Sequence, residues 1–247
     1  MLPPSAGQCY QGVMNPSTIR IASYNLQKCV GLDLRRRPER SLTVIGQLGA
    51  QVVALQEADR RLAPRRAALP HEMAEAEGWQ VVEFGQPGGS LGWHGNAMLL
   101  RNGPQVIETQ HIELPGLEPR GAVRADLATD IGRLRVVGLH LGLVRRYRLL
   151  QVAAIIRALR RLDPCPTVLA GDFNDWGSGA ALDATAQGVE FIATRPSFPT
   201  FRPVARLDRL AISPDLVALD AGVHLQRPAR VASDHLPVWA DLGTRRE

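Results

Sequence analysis

An apolar run that ends abruptly in acids and amides is the feature that most constrains how this chain folds. Residues 167–170 form a mostly apolar run led by β-branched side chains, and Gly171 closes it, which is typical of a short buried strand. Asp172, Asn174 and Asp175 follow within four positions. Layered α/β folds place their chemistry at such strand ends. The same residues also fit a simple turn, because Asp and Asn side chains bond their own backbone.

A second polar strand end comes early in the chain. Residues 18–26 alternate in a strand pattern that ends at Asn25, and residues 52–55 form a buried-type strand that is followed by Glu57. A helix that begins at Pro38 separates the two strands, so the three segments predict a βαβ unit. Parallel strands end at the same edge of a sheet, and we therefore expect Glu57 to lie beside Asn25.

Three more polar positions stand out in the second half of the chain. Asp208 lies within the apolar segment 206–212, where a buried carboxylate needs a partner, and His235 is the obvious candidate. Asp234 and His235 come directly before the last predicted strand. His140 ends an apolar strand, a position that suits a core histidine as well as a functional one.

The remaining elements are predicted from apolar periodicity and turn residues. Four segments joined by short turns predict an antiparallel meander, namely residues 96–101, 106–113, 121–128 and 134–141. Helices are expected over residues 38–48, 66–77, 149–159 and 180–186. Further strands are expected over residues 79–84, 217–225 and 236–242, and an irregular rim loop over residues 191–204.

Composition indicates one globular unit. The chain has 247 residues, 45% of them hydrophobic, and no repeat or linker, so we expect a single domain over residues 18–247 and a flexible N-terminal arm over residues 1–17. The three cysteines have neither zinc-site spacing nor the density of a disulfide scaffold. Because the sequence contains neither a secretory signal nor a membrane span, we expect a cytoplasmic protein, and we expect it to be a monomer.

The charge is modestly positive. The net charge is +5, and the basic residues are 28 arginines and one lysine, Lys28. This charge permits a phosphate-bearing partner without identifying it.

Seven short segments together resemble one known family, the endonuclease/exonuclease/phosphatase superfamily of metal-dependent phosphoesterases, which includes deoxyribonuclease I. In the family's order they are SYNLQ (23–27), LQE (55–57), GNAMLLR (95–101), LHLG (139–142), GDFND (171–175), LDRL (207–210) and SDHLPV (233–238). The chain looks most similar to small bacterial hydrolases of uncertain substrate. The resemblance implies an α+β fold, a four-layer αββα sandwich with the site at one edge, and a divalent cofactor, usually Mg²⁺, with Mn²⁺ as the alternative.

The resemblance also implies how the metal is held. Glu57 corresponds to the family's first metal ligand, with Asn25 nearby and Asp234 adding a carboxylate. Few carboxylates and several waters suit Mg²⁺. Gln27 stands where some members have a carboxylate, which predicts weaker binding or a looser choice of metal.

The same resemblance implies the catalytic roles. Asp208 would orient His235 and raise its basicity, and Asp172 would orient or deprotonate the attacking water. Asn174 and His140 would donate to phosphoryl oxygens. The sequence leaves open whether Asp172 or His235 is the formal base.

The predicted function is Mg²⁺-dependent hydrolysis of a phosphodiester or phosphomonoester by direct attack of water. The predicted partner is a phosphate ester, either a phospholipid headgroup, an inositol phosphate, a small phosphodiester or a nucleic acid. One alternative is a DNA-repair or non-specific nuclease, although the arginines are scattered and the loops are short. The other is a non-catalytic protein that keeps the fold as a binding surface, which the complete set of polar residues argues against.

Overall fold

The computed structural model describes residues 17–60, 66–85, 89–116, 118 and 120–245. The predicted N-terminal arm therefore lies outside the described residues, apart from residue 17. Twelve strands are found in this part of the chain: β1 Ile19–Asn25, β2 Val52–Gln56, β3 Gln80–Val81, β4 Ala97–Leu100, β5 Gln105–Glu113, β6 Gly121–Thr129, β7 Gly132–His140, β8 Thr167–Asp172, β9 Glu190–Phe191, β10 Asp208–Ile212, β11 Leu216–Val223 and β12 Val238–Thr244. The helices are α1 Pro38–Gln47, α2 His71–Ala76, α3 Arg145–Leu159, α4 Ala180–Thr185 and α5 Ala229–Ala232, with a short 3-10 helix at Gln27–Cys29.

Within the described residues, the strands form two mixed sheets of six strands each. The first has the order β11-β12-β1-β2-β4-β3, and the second has the order β5-β6-β7-β8-β10-β9. In the first sheet β1 is parallel to β2 and antiparallel to β12. In the second, β7 is parallel to β8, and β8 is antiparallel to β10. The parallel β1–α1–β2 unit confirms the predicted βαβ arrangement.

Three apolar clusters separate four layers. The first packs α1, α2 and α5 against the outer face of the first sheet, the second lies between the two sheets, and the third packs α3 and α4 against the outer face of the second sheet. Successive residues of β1 divide between layers, since Ile21 faces the other sheet and Ala22 faces the helices. The αββα sandwich expected from the sequence is therefore confirmed. The described residues include no helix that is both long and apolar enough to cross a membrane.

Most predicted elements are present, but three expectations were wrong in part. The segment predicted over residues 96–101 forms β4 in the first sheet, where Leu100 pairs with Val52, so the meander contains only β5, β6 and β7. An apolar run of four residues that is buried on both faces carries no signal of which sheet it joins. Of the strand predicted over residues 79–84, only two residues pair with a neighbouring strand, as β3. The helix predicted over residues 66–77 is shorter than expected and corresponds to α2 alone.

The outer edges of the sheets are irregular. β11 and β5 are the long edge strands, and both change register along their length, between Ala218 and Asp220 and between Val106 and Glu108. The opposite edges are β3 and β9, which have two residues each. No edge strand in the described part of the chain is therefore both long and regular.

A buried ion cluster crosses the second sheet where Asp126 pairs with Arg135 and Arg135 pairs with Thr167, at the start of β8. Asp126 on β6 is fully buried and accepts a bidentate pair of hydrogen bonds from Arg135 on β7, both at 2.9 Å. Arg124 and Arg133 contact the same carboxylate at 3.2 and 2.7 Å. Burial by itself would raise the pKa of Asp126, but the hydrogen bonds from the arginines outweigh it and hold the pKa below its usual value.

We expect Asp126→Asn to lower the free energy of unfolding by about 3–5 kcal/mol, because it leaves buried guanidinium groups without their counter-charge. Urea denaturation followed by circular dichroism measures this loss. Since the folded pKa is depressed, the contribution is present above the unfolded value of about 3.9 and is lost as the pH falls below it, so the gap between variant and wild type should narrow in acid. Asp130→Asn, at an exposed carboxylate in the β6–β7 turn, is the matched control. Equal stability of the two variants would contradict the argument.

Candidate active site

Three of the predicted catalytic residues are cross-strand neighbours in the second sheet. Asp172 ends β8 and is paired in register with His140 on β7 and with Asp208 on β10. All three residues are at least 94% buried. The Asp172 carboxylate lies 3.4 Å from His140 Nε2. Because β7, β8 and β10 are adjacent, three residues that are far apart in sequence meet at one edge of the sandwich.

Asp208 and His235 form the predicted couple. His235 Nδ1 lies 2.9 Å from Asp208 Oδ2, and Ser197 Oγ donates to the same oxygen at 2.5 Å. With Nδ1 facing Asp208, His235 Nε2 points toward Asp172 Oδ2, 3.8 Å away. Ser233 Oγ accepts a hydrogen bond from the His235 amide and fixes the start of the segment that carries the imidazole.

The first sheet contributes the other half of the site. Asn25, at the end of β1, donates from Nδ2 to Asp172 Oδ2 at 3.1 Å, which joins the two sheets directly. Glu57 follows β2, and its carboxylate forms an ion pair with Lys28. The Asp234 amide donates to Gln27 Oε1 at 3.0 Å, so Gln27 secures the loop before β12. The parallel pairing of β1 and β2 thus confirms that Glu57 lies beside Asn25.

Glu57 and Asn174 are among the loop residues at the site that have left-handed backbones. The φ angles of Glu57 and Asn174 are 50° and 51°, a region that non-glycine residues seldom occupy. The Asn174 amide donates to Asp172 Oδ1 at 2.9 Å, and its side-chain Nδ2 donates to the Leu141 carbonyl at the same distance. These bonds hold the turn after β8 and leave the second Nδ2 hydrogen of Asn174 available.

His140 is held by an arginine that the sequence did not single out. Arg120 Nη1 lies 2.9 Å from His140 Nε2, and because a guanidinium has no acceptor, the arginine is the donor. Glu118 binds the same guanidinium at 2.9 Å. Burial lowers the pKa of His140 well below its usual value, and the positive charge of Arg120 adds to this effect. His140 is therefore a neutral acceptor toward Arg120.

The side chains open into one cavity of about 530 Å³. Its polar wall contains all the predicted site residues except Asp208, which lies behind His235. Its apolar wall is formed by Leu143, Trp176 and Phe198. Trp176 is 62% exposed and makes an edge contact with Phe198, whose ring lies 4.7 Å from the imidazole of His235.

The site concentrates negative charge. Burial raises the pKa of Asp172 to about 7, and the neighbouring Asp208 acts in the same direction. Burial would lower the pKa of His235, but the charge and hydrogen bond of Asp208 raise it to about 10. Burial also raises the pKa of Asp234, and the charge of Glu57 contributes to that rise. A cation between Glu57 and Asp234 would relieve this repulsion.

Two groups of side chains offer ligand atoms for a metal ion. Among the described residues, Asp172, Asp208 and His235 have ligand atoms within 4.8 Å of one another. Their contacts are those of a hydrogen-bonded couple, since Asp208 Oδ2 is already shared by two donors. Glu57, Asp234 and Asn25 offer the oxygen ligands that Mg²⁺ prefers, and the Lys28 ammonium already places a positive charge against Glu57. The donor set around Glu57 therefore fits a hard divalent cation.

The structure brings all eight predicted site residues to the same edge. Sequence reasoning missed Lys28, Arg120 and Ser197 as members of the site. Lys28 follows Asn25 by three positions, a signal that the sequence offered. Arg120 and Ser197 lie in irregular segments outside the helices and strands, where no hydrophobic periodicity could have indicated their position.

Comparison with known proteins places the chain among relatives of the same architecture. The Escherichia coli protein YbhP, which is described as uncharacterized, is 32% identical over 161 residues, which cover 61% of this chain and 63% of YbhP. An endonuclease/exonuclease/phosphatase family protein from Bacteroides thetaiotaomicron has the same fold, with a TM-score of 0.76 and 20% sequence identity. The superposition covers 94% of this chain and 100% of that one. A mannosyl-6-phosphatase from the same species gives a TM-score of 0.71 at 19% identity, over 91% and 99% of the two chains.

The family model of the endonuclease/exonuclease/phosphatase family matches residues 22–235 of this chain. This range contains every one of the predicted site residues. The match covers most of the chain, and the sandwich and its polar edge agree with it. The chain belongs to the endonuclease/exonuclease/phosphatase family.

Proposed function

We propose that this protein is a divalent-metal-dependent phosphoesterase that cleaves a phosphodiester by direct attack of water. The observation that carries the proposal is the position of Asp172, which lies between His140, the Asp208–His235 couple and Asn25 at the wall of an open cavity. Phosphodiester hydrolysis needs an oriented water, a proton acceptor and donors for the charge that develops on phosphorus-bound oxygens. Each has a candidate among the described side chains.

The ion site proposed from the sequence is Glu57, Asp234 and Asn25. A bound Mg²⁺ or Mn²⁺ would supply positive charge for the phosphoryl group and the departing oxygen. Glu57 is the principal ligand in this proposal, because its side chain is partly exposed to the cavity and already faces a cation, Lys28.

Asp172 is the proposed general base. Its carboxylate faces the cavity, and Asn25 and the Asn174 amide fix both of its oxygens, so it can orient a water and accept its proton. Asp208 stabilises the protonated imidazole of His235, which favours His235 as a donor to the phosphoryl group. The sequence leaves the formal base open between Asp172 and His235, and these contacts support Asp172.

Arg120 takes over the donor role that the sequence suggested for His140. His140 Nε2 accepts from Arg120, while the rest of the guanidinium lines the cavity and is held by Glu118. An arginine presents several donors in a rigid plane and matches phosphate oxygens well. Asn174 keeps its predicted role through its remaining amide hydrogen.

The cavity favours a phosphate ester whose esterified group is apolar or planar. Trp176, Phe198 and Leu143 form one wall, next to the polar groups that would hold the phosphate. A second candidate function, a nuclease, is favoured by the exposed Trp176, because aromatic faces stack nucleic acid bases. The related mannosyl-6-phosphatase acts on a phosphomonoester, so a monoester substrate belongs in the same test.

A screen with added Mg²⁺ or Mn²⁺ separates these substrate classes. Bis-p-nitrophenyl phosphate, p-nitrophenyl phosphate, single-stranded DNA, abasic duplex DNA, phospholipid vesicles and inositol phosphates should be compared. We expect the aryl phosphodiester to be hydrolysed faster than the aryl monoester, because the apolar wall can hold the second aryl group of the diester. A strict preference for monoesters would contradict this assignment.

We expect Glu57→Gln to reduce metal-stimulated hydrolysis of the aryl phosphodiester by on the order of 10²–10³-fold, as the loss of one electrostatic group does in other active sites. The neutral amide keeps the shape of the side chain but removes the charge that binds the ion. Glu75→Gln, at an exposed carboxylate on α2, is the control and should retain full activity. Unchanged activity of the Glu57 variant would remove Glu57 from the ion site.

We expect Asp208→Asn and His235→Ala each to lower turnover by about 10²–10⁴-fold, the range for a proton-transfer group. The double variant should be little worse than either single variant, because residues that act as one unit are strongly non-additive. Turnover at saturating metal, with circular dichroism to check folding, measures this. Multiplicative losses would mean that Asp208 serves the fold or the ion independently of His235.

A further inference from the structure

The only lysine of the chain lies at the proposed ion site. Its ammonium forms an ion pair with Glu57, and its backbone amide donates to the Glu57 carbonyl at 3.1 Å. The two side chains are 30% and 27% exposed, and both line the cavity. Lys28 is therefore bound to the principal proposed metal ligand by both its main chain and its side chain.

The backbone that presents Lys28 is unusual. Gln27, Lys28 and Cys29 have φ angles of 46°, 57° and 58°, so three successive non-glycine residues adopt left-handed conformations. Such conformations are unfavourable for L-residues and persist only where the surroundings fix them, often at functional sites. Here the hydrogen bonds from Lys28 to Glu57 and from Gln27 to Asn25 hold the turn.

Lys28 lines the same cavity as Arg120, His140 and Asn174, the residues proposed to surround the phosphate. Burial is the main reason for the low pKa of His140, but the positive charge of Lys28 contributes to it, as does that of Arg120. Lys28 is therefore paired with Glu57 and lines the same cavity as His140 and Arg120.

We propose that the Lys28 ammonium occupies the cation position at Glu57 until a divalent ion displaces it, and that the released ammonium then binds a phosphoryl oxygen of the substrate. The second half of this inference rests on the proposed phosphoesterase function. A doubly charged ion and an ammonium cannot share one carboxylate without repulsion, so ion binding frees the lysine. Its flexible four-carbon stem allows it to move, whereas an arginine fork would bind the carboxylate through two donors and resist displacement.

The displacement is tested by ion binding alone. The free Mn²⁺ signal in electron paramagnetic resonance gives the Kd of Mn²⁺ for wild type, Lys28→Met and Arg35→Met. We expect Lys28→Met to bind Mn²⁺ about fivefold more tightly, because a partly exposed ion pair no longer has to be broken. Arg35→Met removes one exposed positive charge from the same loop and should leave the Kd unchanged.

Kinetics at saturating Mn²⁺ test the second step. We expect Lys28→Met to raise the KM for the aryl phosphodiester about tenfold, the effect of losing one charge-assisted hydrogen bond to phosphate. The same variant would then bind the ion better and the substrate worse. An ion pair that serves only the fold would not give this combination, because its loss would weaken both interactions and lower the melting temperature.

Each other outcome overturns part or all of the inference. Equal Mn²⁺ affinities, no Mn²⁺ binding by either protein, or the same tightening in Arg35→Met would exclude displacement at Glu57. An unchanged KM would exclude the contact with substrate. If wild type hydrolyses no phosphate ester at all, the proposed function fails, while the Mn²⁺ titration still decides whether Lys28 competes with the ion.

Discussion

The coverage of both sheets on both faces is the constraint on which the rest of the structure depends. Helices pack outside each sheet, and the sheets pack on each other, so neither face of the central strands is exposed to solvent. Functional polar groups are therefore concentrated where strands end. The ends of β1, β2, β7 and β8 meet at one edge, and the hydrogen bond from Asn25 to Asp172 joins the two sheets there. The buried Asp126 cluster is the exception, and it is stabilised by its own counter-charges.

The same constraint explains how much the sequence could reveal. Strands that are buried on both faces appear as apolar runs, so a run that is followed by Glu57 or Asp172 marks both the strand and the site edge. The sheet that β4 joins could not be inferred, because pairing depends on contacts between distant segments. Ser197 and Arg120 lie in irregular segments, and only the approach of those segments to Asp208 and His140 gives them a partner.

The site also brings several carboxylates close together. Asp172, Asp208, Asp234 and Glu57 converge in little space, and their mutual repulsion has to be offset. His235 neutralises Asp208, and Lys28 neutralises Glu57. Burial raises the pKa values of Asp172 and Asp234, and the neighbouring carboxylates Asp208 and Glu57 add to this rise. Such a site is suited to bringing in a cation together with an anionic substrate.

The irregular sheet edges affect how the protein behaves at high concentration. An exposed, regular edge strand is a template on which another copy can add a strand, and growth of this kind leads to aggregates. In the described part of the chain, β5 and β11 interrupt their ladders with bulges, and β3 and β9 are too short to nucleate pairing. In the part of the chain that the structure describes, the sheet edges therefore offer no long, regular template for a strand from another copy.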